Sequence, residues 1–305
     1  MDEAAQSSVV STALSYRHGV ILVLLAGAFW STMGLGIRYI EAANVWQILF
    51  YRSCALAPFL FLVVSIRSGG RPLPVIHKVG LAGVVGGLGL VIAFAGGIFA
   101  LQTTTVANAM FLFAVAPFIV ALLSWLILRE AVRKATWIAM AIAVTGISIM
   151  VWEGISLGQF RGNAAALLSA LGFAVFTIAL RWRKLDDMMP TVFLAGIFAI
   201  ITSGIVCYSA GYTLAISLND ILISLSLGVF QVGAGLTVYT IGSKVVPAAE
   251  LALLSMTEVV LGPFWVWIVL GETVAPYTLM GGAVLLSALA GNALSGIRRK
   301  PTPIL

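Results

Sequence analysis

The chain has 305 residues, 61% of them hydrophobic and only 9% charged, with a mean hydropathy of +1.10. A water-soluble domain carries roughly 25% charged residues, so this balance excludes a soluble enzyme and points to a polytopic membrane protein without a sizeable extramembrane domain. The formal net charge of +6 is read as anchoring to an anionic leaflet rather than as a nucleic-acid footprint.

Residues 1–18 form a polar tail without the basic start and apolar stretch of a cleavable signal. Residues 1–15 are expected to be disordered. Ten apolar runs follow, near 19–39, 45–66, 79–101, 104–128, 135–152, 163–182, 190–211, 220–243, 247–270 and 276–297. Each approaches the ~20 residues that cross the hydrocarbon as a helix, and lipid demands that such a segment satisfy its backbone internally. Span 1 carries Trp30 and ends at Arg38-Tyr39; span 2 carries Arg52 and Cys54. Span 3 holds Phe94, Phe99 and the close-packing patterns Gly83-x-x-x-Gly87 and Ala93-x-x-x-Gly97, with Gln102 just after it. Span 4 contains Asn108, Phe111, Phe113 and Pro117 and closes on Trp125 and Glu130. Past span 5, span 6 ends at Arg181, and the loop with Asp186 and Asp187 reads as solvated charge. Cys207 lies in span 7, and span 8 brings Gln231, Thr237 and Tyr239. Span 9 contains Glu258, Pro263, Trp265 and Trp267, with Glu272 just beyond it. Pro117 and Pro263 each remove a helical hydrogen bond and predict kinks that suit hinges or static bends. The two cysteines lack metal-ligand spacing and read as small packing residues. A basic tail, 298–305, ends the chain.

Charge gives the orientation. With the N-terminus in the cytoplasm, that side receives Arg17, Arg67, Arg71, Lys78, Arg129, Arg133, Lys134, Arg181, Arg183, Lys184, Lys244, Arg298, Arg299 and Lys300. Of the 17 basic residues, only Arg38, Arg52 and Arg161 fall elsewhere. This is the positive-inside pattern, with both termini cytoplasmic.

The chain also repeats itself. A shift of 142 residues lays Trp125, Leu128 and Glu130 on Trp267, Leu270 and Glu272; a shift of 143 lays Trp30, Arg38 and Tyr39 on Phe173, Arg181 and Trp182. Five spans per copy is an odd number, so the second copy enters the membrane from the opposite side. The expected fold is therefore an all-α membrane protein of ten helices, in two inverted five-helix repeats around a central cavity. The first repeat covers 19–152 and the second 163–297. Inverted repeats are the signature of alternating access.

Ala100-Leu101, Val106-Ala107-Asn108-Ala109, Pro117, Leu128-Arg129-Glu130 and Gly146 resemble an EamA domain of the drug/metabolite transporter superfamily. Trp30-Ser31 and Phe50-Tyr51-Arg52 fit the same pattern, and Pro247-Ala248-Ala249-Glu250 with Leu270-Gly271-Glu272 repeat it more loosely. The resemblance covers residues 19–297. It implies a cavity lined by spans 1–4 and 6–9, with 5 and 10 peripheral, and an aromatic at Trp30. The general character is similar to the amino-acid exporters of bacterial inner membranes.

Candidate substrate contacts follow. Glu258 lies halfway along span 9, where an acidic side chain costs ~2.5–3.5 kcal/mol and should face a cavity or a partner. It suits an ammonium group or a coupling proton; a structural ion pair is the alternative. Arg52 could receive a carboxylate bidentately, or act in packing or gating. Together the two suit a zwitterion. Trp30, Phe94, Phe99, Phe111, Tyr239 and Trp265 could form an apolar wall, although most membrane aromatics are packing residues. Asn108 and Gln231 would hydrogen-bond a substrate backbone or join helices. His18 and His77 belong to no catalytic or metal constellation, and no phosphate-binding loop is present. No enzyme activity, cofactor or metal is expected. The expected function is secondary export of neutral and aromatic amino acids, with another amphipathic metabolite or a cationic drug as the rival cargo. A non-transporting scaffold is the alternative of a different class.

Overall fold

The structure, a computed structural model, describes residues 15–185 and 187–297. The expected disordered tail up to residue 14, Asp186, and the basic cluster Arg298, Arg299 and Lys300 lie outside the described residues. The ten spans are helices, each long and apolar enough to cross a bilayer. They comprise α1 (Tyr16–Arg38), α2 (Val45–Arg67), α4 (Gly80–Thr103), α5 (Val106–Phe113) continued by α6 (Ala116–Ile127), α7 (Lys134–Ser156), α8 (Phe160–Trp182) and α9 (Met189–Ser209). The eighth span is built from α10 (Leu218–Ser226), a π-helical segment Leu227–Ala234 and α11 (Gly235–Gly242), followed by α12 (Ala248–Leu270) and α13 (Pro276–Ile297).

Two details depart from the sequence reading, the helix before the third span and the continuity of α12, while the break in the fourth span falls where Pro117 predicts a kink. A seven-residue helix, α3 (Pro72–Lys78), with Pro72 in its first turn, precedes the third span. The fourth span breaks between Phe113 and Ala116, where the Pro117 ring would meet the carbonyl four residues earlier. Helix α12 runs on through Pro263 without such a break. The two prolines thus do not make matching interruptions.

Small residues set the helix spacing. Helix α4 packs most extensively on α8, and a Cβ on Gly172 would stand 2.5 Å from the Gly89 carbonyl. Ser169 Oγ donates to the Ala93 carbonyl at 2.6 Å along the same seam. The Gly83 and Gly87 stripe faces a different neighbour, with Leu194 against Gly83 and Phe198 against Gly87, both on α9. The helix contacts map onto one another when the two halves are exchanged. Helix α4 on α8 corresponds to the eighth span on α1, and α6 on α8 to α12 on α1. Helices α2 with α9, α5 with α12, and α7 with α13 pair across the halves.

The α7–α13 pair stands to one side and is fastened by its own bonds. Thr278 Oγ1 donates to Glu153 Oε2 at 2.8 Å, and Thr136 Oγ1 donates to Asn292 Oδ1 at 2.8 Å. Elsewhere, buried Asp220 in the first turn of α10 accepts the backbone N–H groups of Glu41, Ala42 and Ala43. That carboxylate fixes the α1–α2 turn over the start of the eighth span.

Candidate functional site

Arg52 is the eighth residue of α2, about 10 Å along the helix from its start. It is 1% exposed, and its guanidinium carbon lies 4.3 Å from the centre of the Phe94 ring on α4. Nε and Nη1 have no hydrogen-bond partner among the described residues, and no carboxylate there forms an ion pair with it. A cation–π contact contributes up to about 2 kcal/mol when desolvated, whereas an unpaired buried charge costs several. The site is electrostatically incomplete as it stands.

The π-helical segment passes directly beside it. A Cβ on Gly228 would overlap the Arg52 carbonyl, so the two backbones touch. Gln231 follows on the same segment, 6% exposed and with Oε1 unpartnered. Further along, a Cβ on Gly235 would stand 2.5 Å from Trp30 Nε1. The missing side chain admits the indole of α1. Gly228 and Gly235 bracket most of the π-helical segment, so this one strip carries Arg52, Gln231 and Trp30 in sequence. A π-helical turn in a longer helix frequently marks a functional position.

Beyond Trp30 lies an aromatic and acidic group. The Trp30 and Tyr239 rings are 5.2 Å apart, tilted by 44°. Ser255 of α12 stands beside the Tyr239 hydroxyl, and Glu258 is one turn further along α12. At Gly27 of α1 a Cβ would lie 3.6 Å from the Glu258 backbone nitrogen, so glycine lets α1 and α12 close up at this level. Glu258 is of intermediate exposure, and its carboxylate makes no hydrogen bond or ion pair among the described residues. It lies about 18 Å along α12 from the helix end at Leu270, well within the hydrocarbon thickness. Arg52 and Glu258 therefore sit at different depths and do not pair with each other.

The remaining candidates serve other contacts in this conformation. Asn108 is 1% exposed and donates from Nδ2 to Thr104 Oγ1 at 3.1 Å and to Asn163 Oδ1 of α8. Trp265 Nε1 donates to Ser31 Oγ at 2.9 Å, tying α12 to α1. Phe111 faces α13, where a Cβ on Gly282 would stand 2.5 Å from its ring. Phe99 is 36% exposed on α4. Gln102 donates to the Ala43 carbonyl at 2.9 Å, and Thr237 bonds back to its own helix at Gly233. The structure thus gathers Arg52, Phe94, Gln231, Trp30, Tyr239 and Glu258 along the inner faces of α1, α2, α4, the eighth span and α12. It adds Ser255, Gly228 and Gly235, which sequence reasoning did not single out. Two glycines seven residues apart around a central glutamine are the only local sign of that strip. An apolar groove of about 560 Å³ between α6, α7 and α8 offers no polar group and lies apart from these residues.

Comparisons with known proteins agree with this architecture. The EamA-like transporter family model matches twice, over residues 17–152 and 160–294. The chain is 24% identical over 281 residues to the pseudopaline exporter CntI of Pseudomonas aeruginosa, in strains UCBPP-PA14 and PAO1 alike. That alignment covers 89% of this chain and 94% of the relative. A solved crystal structure superposes with a TM-score of 0.63 at 19% identity, over 93% of this chain and 100% of its own. With both five-helix halves matched, the chain belongs to the EamA-like transporter family.

Proposed function

We propose that the chain exports neutral and aromatic amino acids from the bacterial cytoplasm by alternating access between its two halves, as a secondary transporter or facilitator in the inner membrane. The observation that carries this reading is the sealed, unpartnered guanidinium of Arg52 against Phe94. A carboxylate is the group that completes it, through short charge-assisted bonds. Trp30 and Tyr239 offer an apolar wall to a side chain, Gln231 offers an unpaired acceptor, and Glu258 suits an ammonium group. Because the charged groups stand at different depths, the amino acid would meet them in turn, or both at once after the helices have moved.

The described basic residues cluster at the end where α1 begins and α13 finishes. By the positive-inside rule that face is cytoplasmic. With five spans in each repeat, the second copy is inverted, and exchanging the conformations of the copies moves the opening from one face to the other. That the curated relatives are exporters supports the outward direction.

The test is counterflow in proteoliposomes preloaded with unlabelled tryptophan, phenylalanine, methionine or threonine. Accelerated uptake of the labelled compound without ATP or an imposed gradient is the expected result. No exchange by folded protein overturns the amino-acid reading. A second reading, a cationic amphipathic cargo, is favoured by the unpaired carboxylate of Glu258 on α12 and the adjacent Trp30 and Tyr239 rings, which suit a cation. Transport that is lost on Glu258→Gln but retained on Arg52→Gln would select it.

A further inference from the structure

Each end of the bundle is crossed by an ion pair, and these two pairs are images of each other under the repeat; the basic face also holds Arg67 with Asp187 at 3.3 Å, which has no such image. At the face away from the basic residues, Arg38 Nε donates to Glu272 Oε2 at 2.7 Å and Nη2 donates to Oε1 at 3.3 Å. At the basic face, Arg181 Nη2 donates to Glu130 Oε2 at 2.6 Å. The shifts that superpose the halves lay Arg38 on Arg181 and Glu130 on Glu272. Each pair therefore joins the arginine of one repeat to the glutamate of the other.

Their surroundings differ. Arg38 also donates to the carbonyls of Leu101 at 2.5 Å and Thr104 at 2.8 Å, closing the end of α4. Glu272 Oε1 accepts the Val106 N–H at 2.7 Å and caps α5. The α4–α5 connection is thus held by both members of the pair. The repeat images of Leu101 and Thr104 are Ser243 and Val246, in the connection between α11 and α12. Arg181 donates to neither of their carbonyls; its Nη1 donates instead to Ser124 Oγ at 2.8 Å. The Arg38 and Glu272 side chains are 24% and 19% exposed, against 46% and 43% for Arg181 and Glu130. One pair is clamped on its helix connection and the other stands off it.

We propose that these pairs are reciprocal latches, and that this conformation is closed at the Arg38–Glu272 end. In the opposite state Arg181 and Glu130 grip the connection at Ser243 and Val246, while Arg38 and Glu272 release the α4–α5 turn. Similar bonds then form in either state, which keeps the two states close enough in free energy for cargo to shift between them. The inference rests on the alternating-access part of the function proposed above and makes no use of the cargo.

Thiol labelling tests it without transport. In a background carrying Cys54→Ala and Cys207→Ala, Met33→Cys places a thiol on α1 between Trp30 and the latch, against Gly97 of α4. A membrane-impermeant maleimide is applied to either side of the membrane. Adding Arg38→Ala or Glu272→Gln is expected to speed labelling from the side opposite the basic face about tenfold, a population shift within the usual range of coupling between sites. Glu272→Gln retains an acceptor for the Val106 N–H and guards against simple misfolding. Arg181→Ala is expected not to speed labelling from that side. Unchanged labelling in both Arg38→Ala and Glu272→Gln would overturn the proposal. So would equal acceleration by Arg181→Ala, which would mean general loosening. Failed amino-acid counterflow with the expected labelling would sink the cargo reading and leave the latches standing.

Discussion

At the scale of single residues, stability and function pull in opposite directions at Arg52. Its guanidinium is sealed from water and balanced only by the Phe94 ring. Replacing an uncompensated buried charge by a neutral side chain of similar reach is neutral or stabilising. Arg52→Gln is therefore expected to leave the melting temperature in detergent unchanged or raised, while tryptophan counterflow falls at least about tenfold, the loss of one charge-assisted bond of ~1.5–3 kcal/mol. A lowered melting temperature with counterflow preserved would make Arg52 a packing residue. Asn108 should behave in the reverse way. Its amide nitrogen is spent on Thr104 and Asn163, although its Oδ1 has no partner among the described residues, so Asn108→Ala leaves the acceptors on Thr104 and Asn163 unpaired at a cost of ~1–3 kcal/mol. Thermal stability is expected to drop, with the half-saturating tryptophan concentration unchanged in the protein that folds. Arg52 and Glu258 stand out in the sequence as candidates because a charge inside an apolar run is costly wherever it points. Asn108 does not: an amide costs less, and whether it faces a cavity or a neighbouring helix depends on packing that one helix does not encode.

At the scale of elements, the spans themselves were legible, since length and apolarity decide which segments cross a bilayer. Their internal irregularities were only partly so. Pro117 announces the break in the fourth span, but Pro263 carries the same signal and α12 continues. The π-helical segment Leu227–Ala234 has no compositional mark, because α and π turns of apolar residues look alike in sequence. What it does mark is backbone approach, at Gly228 to α2 and at Gly235 to Trp30. The α4–α8 seam makes a sharper case. A methyl group at Gly172 would fall 2.5 Å from the Gly89 carbonyl and 2.7 Å from the Ala93 nitrogen, both backbone atoms. Gly172→Ala is therefore expected to cost ~1–3 kcal/mol through overpacking, read as a lower unfolding temperature. The same change at Gly291, where a Cβ meets nothing within 4 Å, is expected to have little effect. Equal effects at both would mean that the seam is not close-packed.

At the scale of the whole molecule, charge and duplication were legible in sequence because both are global patterns that single-residue packing does not blur. What the duplication could not show was that its marks would meet: Arg38 with Glu272 and Arg181 with Glu130, residues 234 and 51 apart in the chain. The proposed orientation has a direct check in two exposed positions at opposite ends of helices from the second repeat. Tyr208, 91% exposed near the end of α9, lies at the face away from the basic residues, and Lys184, just past α8, lies at the basic face. With Cys54 and Cys207 replaced by alanine, Tyr208→Cys should react with an impermeant maleimide in intact spheroplasts. Lys184→Cys should react only after permeabilisation. The reversed pattern would place the basic face outside, and the Arg38–Glu272 latch would then close the cytoplasmic end. Export in that orientation would have to begin from the end that this conformation holds shut.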